Sequence, residues 1–123
     1  MKIPDEIRSA WDDREGPVVL TTVDNKGVPN SIYVLMFKLI GDTIAIADNY
    51  FDKTFNNIKS HSNACILFIT NNRKSYQIKG TISYFDKGPE FDDMLQWASP
   101  KHPRKGVAYF QPDLFYNGQI QIN

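Results

Sequence analysis

From Val18 to Phe85 the sequence is a succession of apolar, β-branched stretches punctuated by turn signals, mostly in hairpin order. Val18–Val23 is the first. Asp24-Asn-Lys-Gly27 is a hairpin turn, with Gly27 placed for a left-handed conformation. Pro29–Leu39 continues as one long second strand, and Gly41-Asp42 turns it into Thr43–Ala47. Ala64–Thr70 is apolar throughout, which predicts a strand buried on both faces. After a turn at Asn71-Asn72, Ser75–Phe85 alternates around Tyr76, Ile78 and Ile82. Gly80 within it predicts a bulge or a close backbone approach. Lys105–Phe115 supplies a last strand. Five or six strands in this order predict a closed or nearly closed antiparallel barrel, a mainly β fold with short helices.

Two or three short helices accompany the strands. Near the start, Pro4 suits a first helical position, Asp5 and Glu6 favour its positive end, and Ile7, Ala10 and Trp11 share a face. Pro17 marks the break after it. Gly88-Pro89 opens a late helix with Glu90, Asp92 and Asp93 in its first turn and Phe91, Leu95 and Ala98 as its buried stripe. Pro100 and Pro103 end it.

The middle helix, Lys53–Ser60, carries Phe55 and Ile58 on one side and starts where Thr43-Ile-Ala-Ile-Ala47 stops. A helix start exposes unpartnered N–H groups and a partial positive charge. Lys53 adds a full charge and Thr54 a hydroxyl, so this is a place to hold a phosphate. The plainer alternative is a solvated helix start capped by Asp52. Asn30 and Ser31 are either an outward polar pair or groups that meet a polar ligand edge. Asp48-Asn49 can serve as simple turn residues.

The chain has 123 residues, one modest core and 41% hydrophobic residues, so it should fold as one domain (1–123) without metals or staples. Lys plus Arg equals Asp plus Glu at 14 each, which removes the electrostatic footprint of a nucleic-acid binder. A barrel stacking single-stranded bases on an aromatic face is disfavoured for the same reason. Cys65 is the single cysteine, so no internal disulfide forms, which fits a reducing cytoplasm. The N-terminus has no apolar signal region, and no apolar run is long enough to span a membrane. His61, His102 and Cys65 lack metal-ligand spacing. Cys65 lies within an apolar strand and is expected to be an inert core thiol. No catalytic triad or carboxylate pair stands out. Lys101-His-Pro-Arg-Lys105 is a solvated basic loop, or one that greets an anionic substrate, a nicotinamide cofactor's phosphates or an acidic redox partner.

Pro29-Asn-Ser31, Asp52-Lys-Thr54, the Gly80 strand and Gly88-Pro-Glu-Phe91 carry a resemblance over nearly the whole chain. In order and spacing they resemble the FMN-binding split-barrel superfamily, related to pyridoxamine 5′-phosphate oxidase, and within it the short single-domain FMN-binding proteins. The resemblance implies a six-stranded antiparallel split β-barrel, homodimeric, with FMN in a groove between subunits. It implies that Lys53 and Thr54, helped by Ser31, bind the FMN phosphate. Asn30, Ser31 and Ile32 would line the flavin edge, and Ala47, Asp48 and Asn49 would contact the ring through backbone groups. The partner's 97–105 loop and last strand would close the other face, with Trp97 either packing beside the late helix or stacking on the partner's flavin. Gln77 and Lys79 share one strand face, which is either plain wet surface or, with Lys79 near the flavin, a stabiliser of its reduced form.

Two departures matter. Relatives often carry an aromatic where Ile32 stands. The chain ends at Asn123, without the C-terminal segment that holds the pyridoxal phosphate ring, so vitamin B6 oxidation is not expected. The implied function is a flavin-dependent oxidoreductase or electron carrier with a small-molecule or redox-protein partner. The alternative is a binding module holding a deazaflavin, haem or flavin without catalysis of its own.

Overall fold

The structure, a computed structural model, describes residues 2–123. Helix α1 (Asp5–Asp12) precedes strands β1 (Val18–Val23), β2 (Pro29–Val34), β3 (Phe37–Ile40) and β4 (Thr43–Asp48). Helix α2 (Lys53–Lys59), β5 (Asn63–Ile69), β6 (Ser75–Phe85), helix α3 (Pro89–Trp97), β7 (Gly106–Asn117) and a two-residue β8 (Ile120–Gln121) follow. All strands pair antiparallel, in the order β2-β1-β5-β6-β7-β4-β3, with β8 on β7.

The strand count corrects the expected six. Pro29–Leu39 is not one strand but two, and these are the two edges of the sheet. Only Leu35 and Met36 separate them, a reach of about 11 Å at most. A seven-strand path whose edges lie that close has to curl on itself. Val34 still pairs with Val18, while Phe37 already pairs with Ile46. The chain therefore changes partners at Leu35-Met36, where the Met36 carbonyl accepts from Ala47 N at 2.9 Å. This is the split in the barrel.

The interior of the curl is filled by alternating residues, among them Val18, Leu20, Ile44, Ile46, Ile66, Ile78, Phe110 and Phe115 from β1, β4, β5, β6 and β7, none more than 1% exposed. Each such side chain contributes roughly 1.5–3 kcal/mol by leaving water. Helix α1 adds Ile7 and Trp11. Trp11 meets Phe37 and Phe68 edge-on at 5.3 and 5.2 Å, so it bridges β3 and β5. Both glycine expectations hold. Gly27 has φ +82°, and Asp24 Oδ1 closes its turn by accepting from Lys26 N and Val28 N. Gly80 marks a register shift, and a Cβ there would collide with the Gln111 carbonyl.

A second, smaller core explains another correction. β5 is not buried on both faces. Its residues alternate, and Leu67 is 40% exposed. The strand covered twice is β4. Ile44 and Ile46 face the main core, while Ala45 and Ala47 lie with Val107 beneath Met94 and Ala98. The reason is where α3 docks: it covers β4 and β7, and the small alanines let it approach. Phe91 and Leu95 are only partly buried, and Met94 is the centre of the helix stripe. Among the described residues no helix is long and apolar enough to cross a membrane.

Candidate cofactor site

The end of β4 sets the geometry. Asp48 is 1% exposed, and its carboxylate is shared among three chain segments. Oδ1 accepts from Phe51 N at 2.9 Å and closes the turn into α2. Oδ2 accepts from the Tyr84 hydroxyl at 2.5 Å. Lys105 Nζ lies 4.0 Å from Oδ1 and donates to the Phe51 carbonyl at 3.4 Å. The Asp48 carbonyl accepts from Lys105 N at 2.8 Å, and Asn49 Oδ1 from Arg104 N at 3.0 Å. A buried carboxylate is tolerated only when partnered this fully. Burial, and then the bond to Asp48, push the Tyr84 phenol well above its usual range. Gly106 makes room for that phenol, since a Cβ there would collide with the Tyr84 ring and hydroxyl.

Helix α2 begins without a side-chain cap, so the alternative that Asp52 caps it is not realised. Asp52 therefore does not compete for the first N–H groups. Lys53 is exposed. Thr54 is 1% exposed and accepts from Asn30 Nδ2 at 3.0 Å. One turn on, Asn57 Nδ2 donates to Thr22 Oγ1 at 3.0 Å. One part-buried and one buried polar pair thus fasten α2 to β2 and β1.

Two clefts border this region. One, of about 410 Å³, lies between the β1–β2 turn and α2, lined by Asp24, Val28, Pro29, Asn30, Lys53, Asn56 and Asn57. The other, of about 190 Å³, lies at the split in the barrel, lined by Tyr33, Val34, Leu35, Met36, Ala47, Asn49, Tyr50, Phe51 and His102. The structure brings Asn30 and Lys53 together in the first and Ala47 and Asn49 together in the second. Thr54 and Asp48 line neither cleft; each is buried and hydrogen-bonded to a residue that does, Thr54 to Asn30 and Asp48 to Phe51.

Strand alternation separates the rest. Asn30 and Ile32 turn inward, where Ile32 packs on the main core, so Asn30, Ser31 and Ile32 do not present one common edge. Ser31 faces outward, 2.7 Å from Thr21 Oγ1. Gln77 is on the same outer face, opposite Leu67 and Tyr116. Lys79 lies over the Tyr116 ring at 5.0 Å and borders an outer groove of about 360 Å³ with Thr21, Cys65 and Leu114. Cys65 is half-buried rather than in the core, and burial raises its thiol against the opposing effect of Lys79. Trp97 packs with the α3 core and donates to Asp93 Oδ2 at 3.3 Å. The basic loop is only partly solvated. Arg104 turns inward with φ +49° and donates to the Leu95 carbonyl, and Lys105 reaches Phe51, which leaves Lys101 and His102 outside. His102 Nδ1 is 3.3 Å from the Tyr50 hydroxyl. Among the described residues no group of three or more His, Cys, Asp or Glu could hold a metal ion.

The sequence profile of the pyridoxamine 5′-phosphate oxidase family matches residues 3–116. The chain belongs to the pyridoxamine 5′-phosphate oxidase family. No curated protein matches it in sequence. Solved structures share the fold. HupZ of Group A Streptococcus is 24% identical with a TM-score of 0.83, over 98% of each chain. An FMN-binding protein from Syntrophomonas wolfei is 23% identical with a TM-score of 0.72, over 94% of this chain and 83% of the other. An F420 reductase is 16% identical with a TM-score of 0.69, over 93% and 98%.

In this family member, sequence reasoning missed Tyr33, Leu35, Met36 and Tyr50 as cleft residues and Tyr84 as a support, and named His102 and Lys105 only as members of the 101–105 basic loop. One signal was present. The run Val34-Leu-Met-Phe37 breaks period-two alternation, as a change of partners requires. Nothing local marks Tyr84, and the basic run that contains Lys105 does not point to Asp48.

Proposed function

We propose that the chain binds FMN non-covalently and acts as a flavin-dependent oxidoreductase or electron carrier. The observation that carries this is the pair of clefts along β2. The polar cleft holds Lys53 and Asn30, and the split cleft has apolar side chains and strand-end backbone. At about 3.3 Å per residue, Asn30 and Tyr33 are about 10 Å apart along the strand. A ligand with an anionic end and a flat end fits that layout. Lys53, with Asn30 and Asn56, holds the phosphate, and Thr54 fixes Asn30. The Tyr33–Met36 and Ala47–Asn49 segments receive the ring edge. Bound FMN supplies hydride or single-electron transfer, while the protein orients it and controls water access.

The split cleft is smaller than a typical small-molecule site of roughly 300–1,000 Å³. A second copy of the chain therefore completes it. The outer face suits that role. Tyr33, Val19, Leu67, Gln77 and Tyr116 form one cross-strand row, and Ser31, Thr21, Cys65, Lys79 and Leu114 the next. Tyr33 is 75% and Leu67 40% exposed, a mostly apolar surface of the kind that marks an interface. In the dimer Ser31, Gln77 and Trp97 border the flavin from the two subunits.

Titration with FMN, riboflavin, F420 and haem, followed by absorbance and light scattering, tests the reading. We expect FMN to bind tightest, to a dimer, with a yellow colour bleached by dithionite. Lys53→Ala should weaken FMN roughly tenfold, the worth of one charge-assisted hydrogen bond, and leave riboflavin unchanged. A protein that takes up no FMN overturns the proposal. Preference for F420 or haem replaces the cofactor, and a monomer that binds FMN removes the shared groove.

A further inference from the structure

Asp48 is more than a turn residue. An asparagine or serine could accept from Phe51 N equally well, without burying a charge. A buried ion pair is also a poor source of stability, because desolvation offsets the attraction. Yet Asp48 is 1% exposed, and it stands in the chain between Ala47 and Asn49, which both line the split cleft. Among the described residues Lys105, half-exposed at 4.0 Å, is the cation paired with it. A separate hollow of about 340 Å³, on the side of the Asp48 carboxylate, is lined by Asp48, Asp52, Tyr84, Asp86 and Lys105, and among the described residues Lys105 is the sole cation lining it against three carboxylates. Tyr84 spreads the Asp48 charge further by donating to Oδ2.

We propose that Asp48, Tyr84 and Lys105 form a charge-balanced unit that positions the Ala47–Asn49 backbone and sets the electron affinity of a ring bound in the split cleft. This rests on the FMN reading above. All three are positioning residues and none needs to touch the ligand. The ring is uncharged when oxidised, so the unit affects its affinity little in that state. An electron added to the ring meets whatever net charge the unit carries. With Lys105 present the Asp48 carboxylate is compensated. Without it a buried negative charge remains beside the cleft and opposes the added electron through a medium of low dielectric.

The test is Lys105→Gln in the FMN-loaded full chain, with Lys105→Arg as the conservative variant and Lys38→Gln, an exposed β3 lysine, as the charge-matched control. Oxidised FMN affinity and the two-electron midpoint potential are both measured. We expect Lys105→Gln to leave oxidised FMN binding unchanged and to weaken the reduced form about tenfold, which is a potential about 30 mV more negative. Lys105→Arg restores the wild-type value, and Lys38→Gln leaves it unmoved. A potential unchanged in Lys105→Gln overturns the proposal while leaving the FMN reading intact. Equal weakening of both redox forms also overturns it, since Lys105 would then contact the ligand directly. If wild-type protein takes up no FMN, the cofactor reading fails and this inference falls with it.

Discussion

Strand β4 lies between two aspartates, and they do opposite work. Asp42 stands just before it, half-exposed. Its Oδ1 accepts from Ile3 N at 2.9 Å and from Arg8 Nη2 at 2.6 Å. The bonds from Ile3 N and Arg8 hold the Asp42 carboxyl below its usual range, with the backbone bond the larger cause. Asp48 ends the strand, buried among Tyr84, Phe51 and Lys105. The outer aspartate fastens the N-terminal segment to a turn and can exchange its partners for water. The inner one has no water to fall back on, so its partners must all be supplied by the fold. The same residue type is thus a surface clamp at one end and an organiser of the candidate site at the other.

The contrast breaks most readily at the buried end. Asp48→Ala leaves the Tyr84 hydroxyl and Phe51 N without an acceptor, and at about 1–3 kcal/mol for each stranded donor should cost about 2–6 kcal/mol in chemical denaturation. It should also abolish FMN uptake. A variant as stable as wild type would mean that water already reaches Asp48.

Gly106→Ala comes next. Its Cβ collides with the Tyr84 ring, and overpacking of this kind costs about 1–3 kcal/mol. Because both residues act on one contact, Gly106→Ala and Tyr84→Phe should be non-additive in a double-mutant cycle. Additive losses would separate the glycine from the Asp48 unit.

Tyr84→Phe alone should cost about 1–3 kcal/mol by leaving a buried acceptor short of a donor. The raised phenol gives this bond a pH signature. Its folded pKa lies above the unfolded value, so its stabilisation is complete below about pH 10 and declines as pH rises from there. Wild-type stability should therefore fall above pH 10 more steeply than that of Tyr84→Phe.

The smallest effect belongs to the outer end. Asp42→Asn should lose several-fold less stability than Asp48→Ala, and the loss should shrink further in high salt. Here the folded pKa is depressed. The contribution is present above about pH 3.9 and fades as pH falls below it. An Asp42→Asn loss as large as that of Asp48→Ala, or one insensitive to salt, would erase the distinction between the two ends.

Much of the fold was legible because it is locally encoded. The face of α1 formed by Ile7, Ala10 and Trp11, the left-handed Gly27, the close approach at Gly80 and the proline start of α3 each follow from residues a few positions apart. Asn30 with Lys53, and Ala47 with Asn49, were named together from resemblance and position in the chain, and the fold brings each pair to one cleft. The strand 29–39 was misread because its apolar character continues across the bend. Burial of β5 was overestimated because an apolar run does not say which face a helix will cover.

By itself the sequence determined a mainly β chain of hairpins with short helices and membership of the pyridoxamine 5′-phosphate oxidase family. Periods of 2 and 3.6 residues and turn chemistry are written in neighbouring residues. Only the tertiary structure decided that Pro29–Leu39 splits to form both edges of one sheet, that β4 is covered on both faces, and that Asp48 is buried against Tyr84. Asp48 and Tyr84 lie 36 positions apart, and Asn49 and Arg104 lie 55. Such partners meet only when β4, β6 and β7 pair side by side, and no local pattern in the chain specifies that meeting.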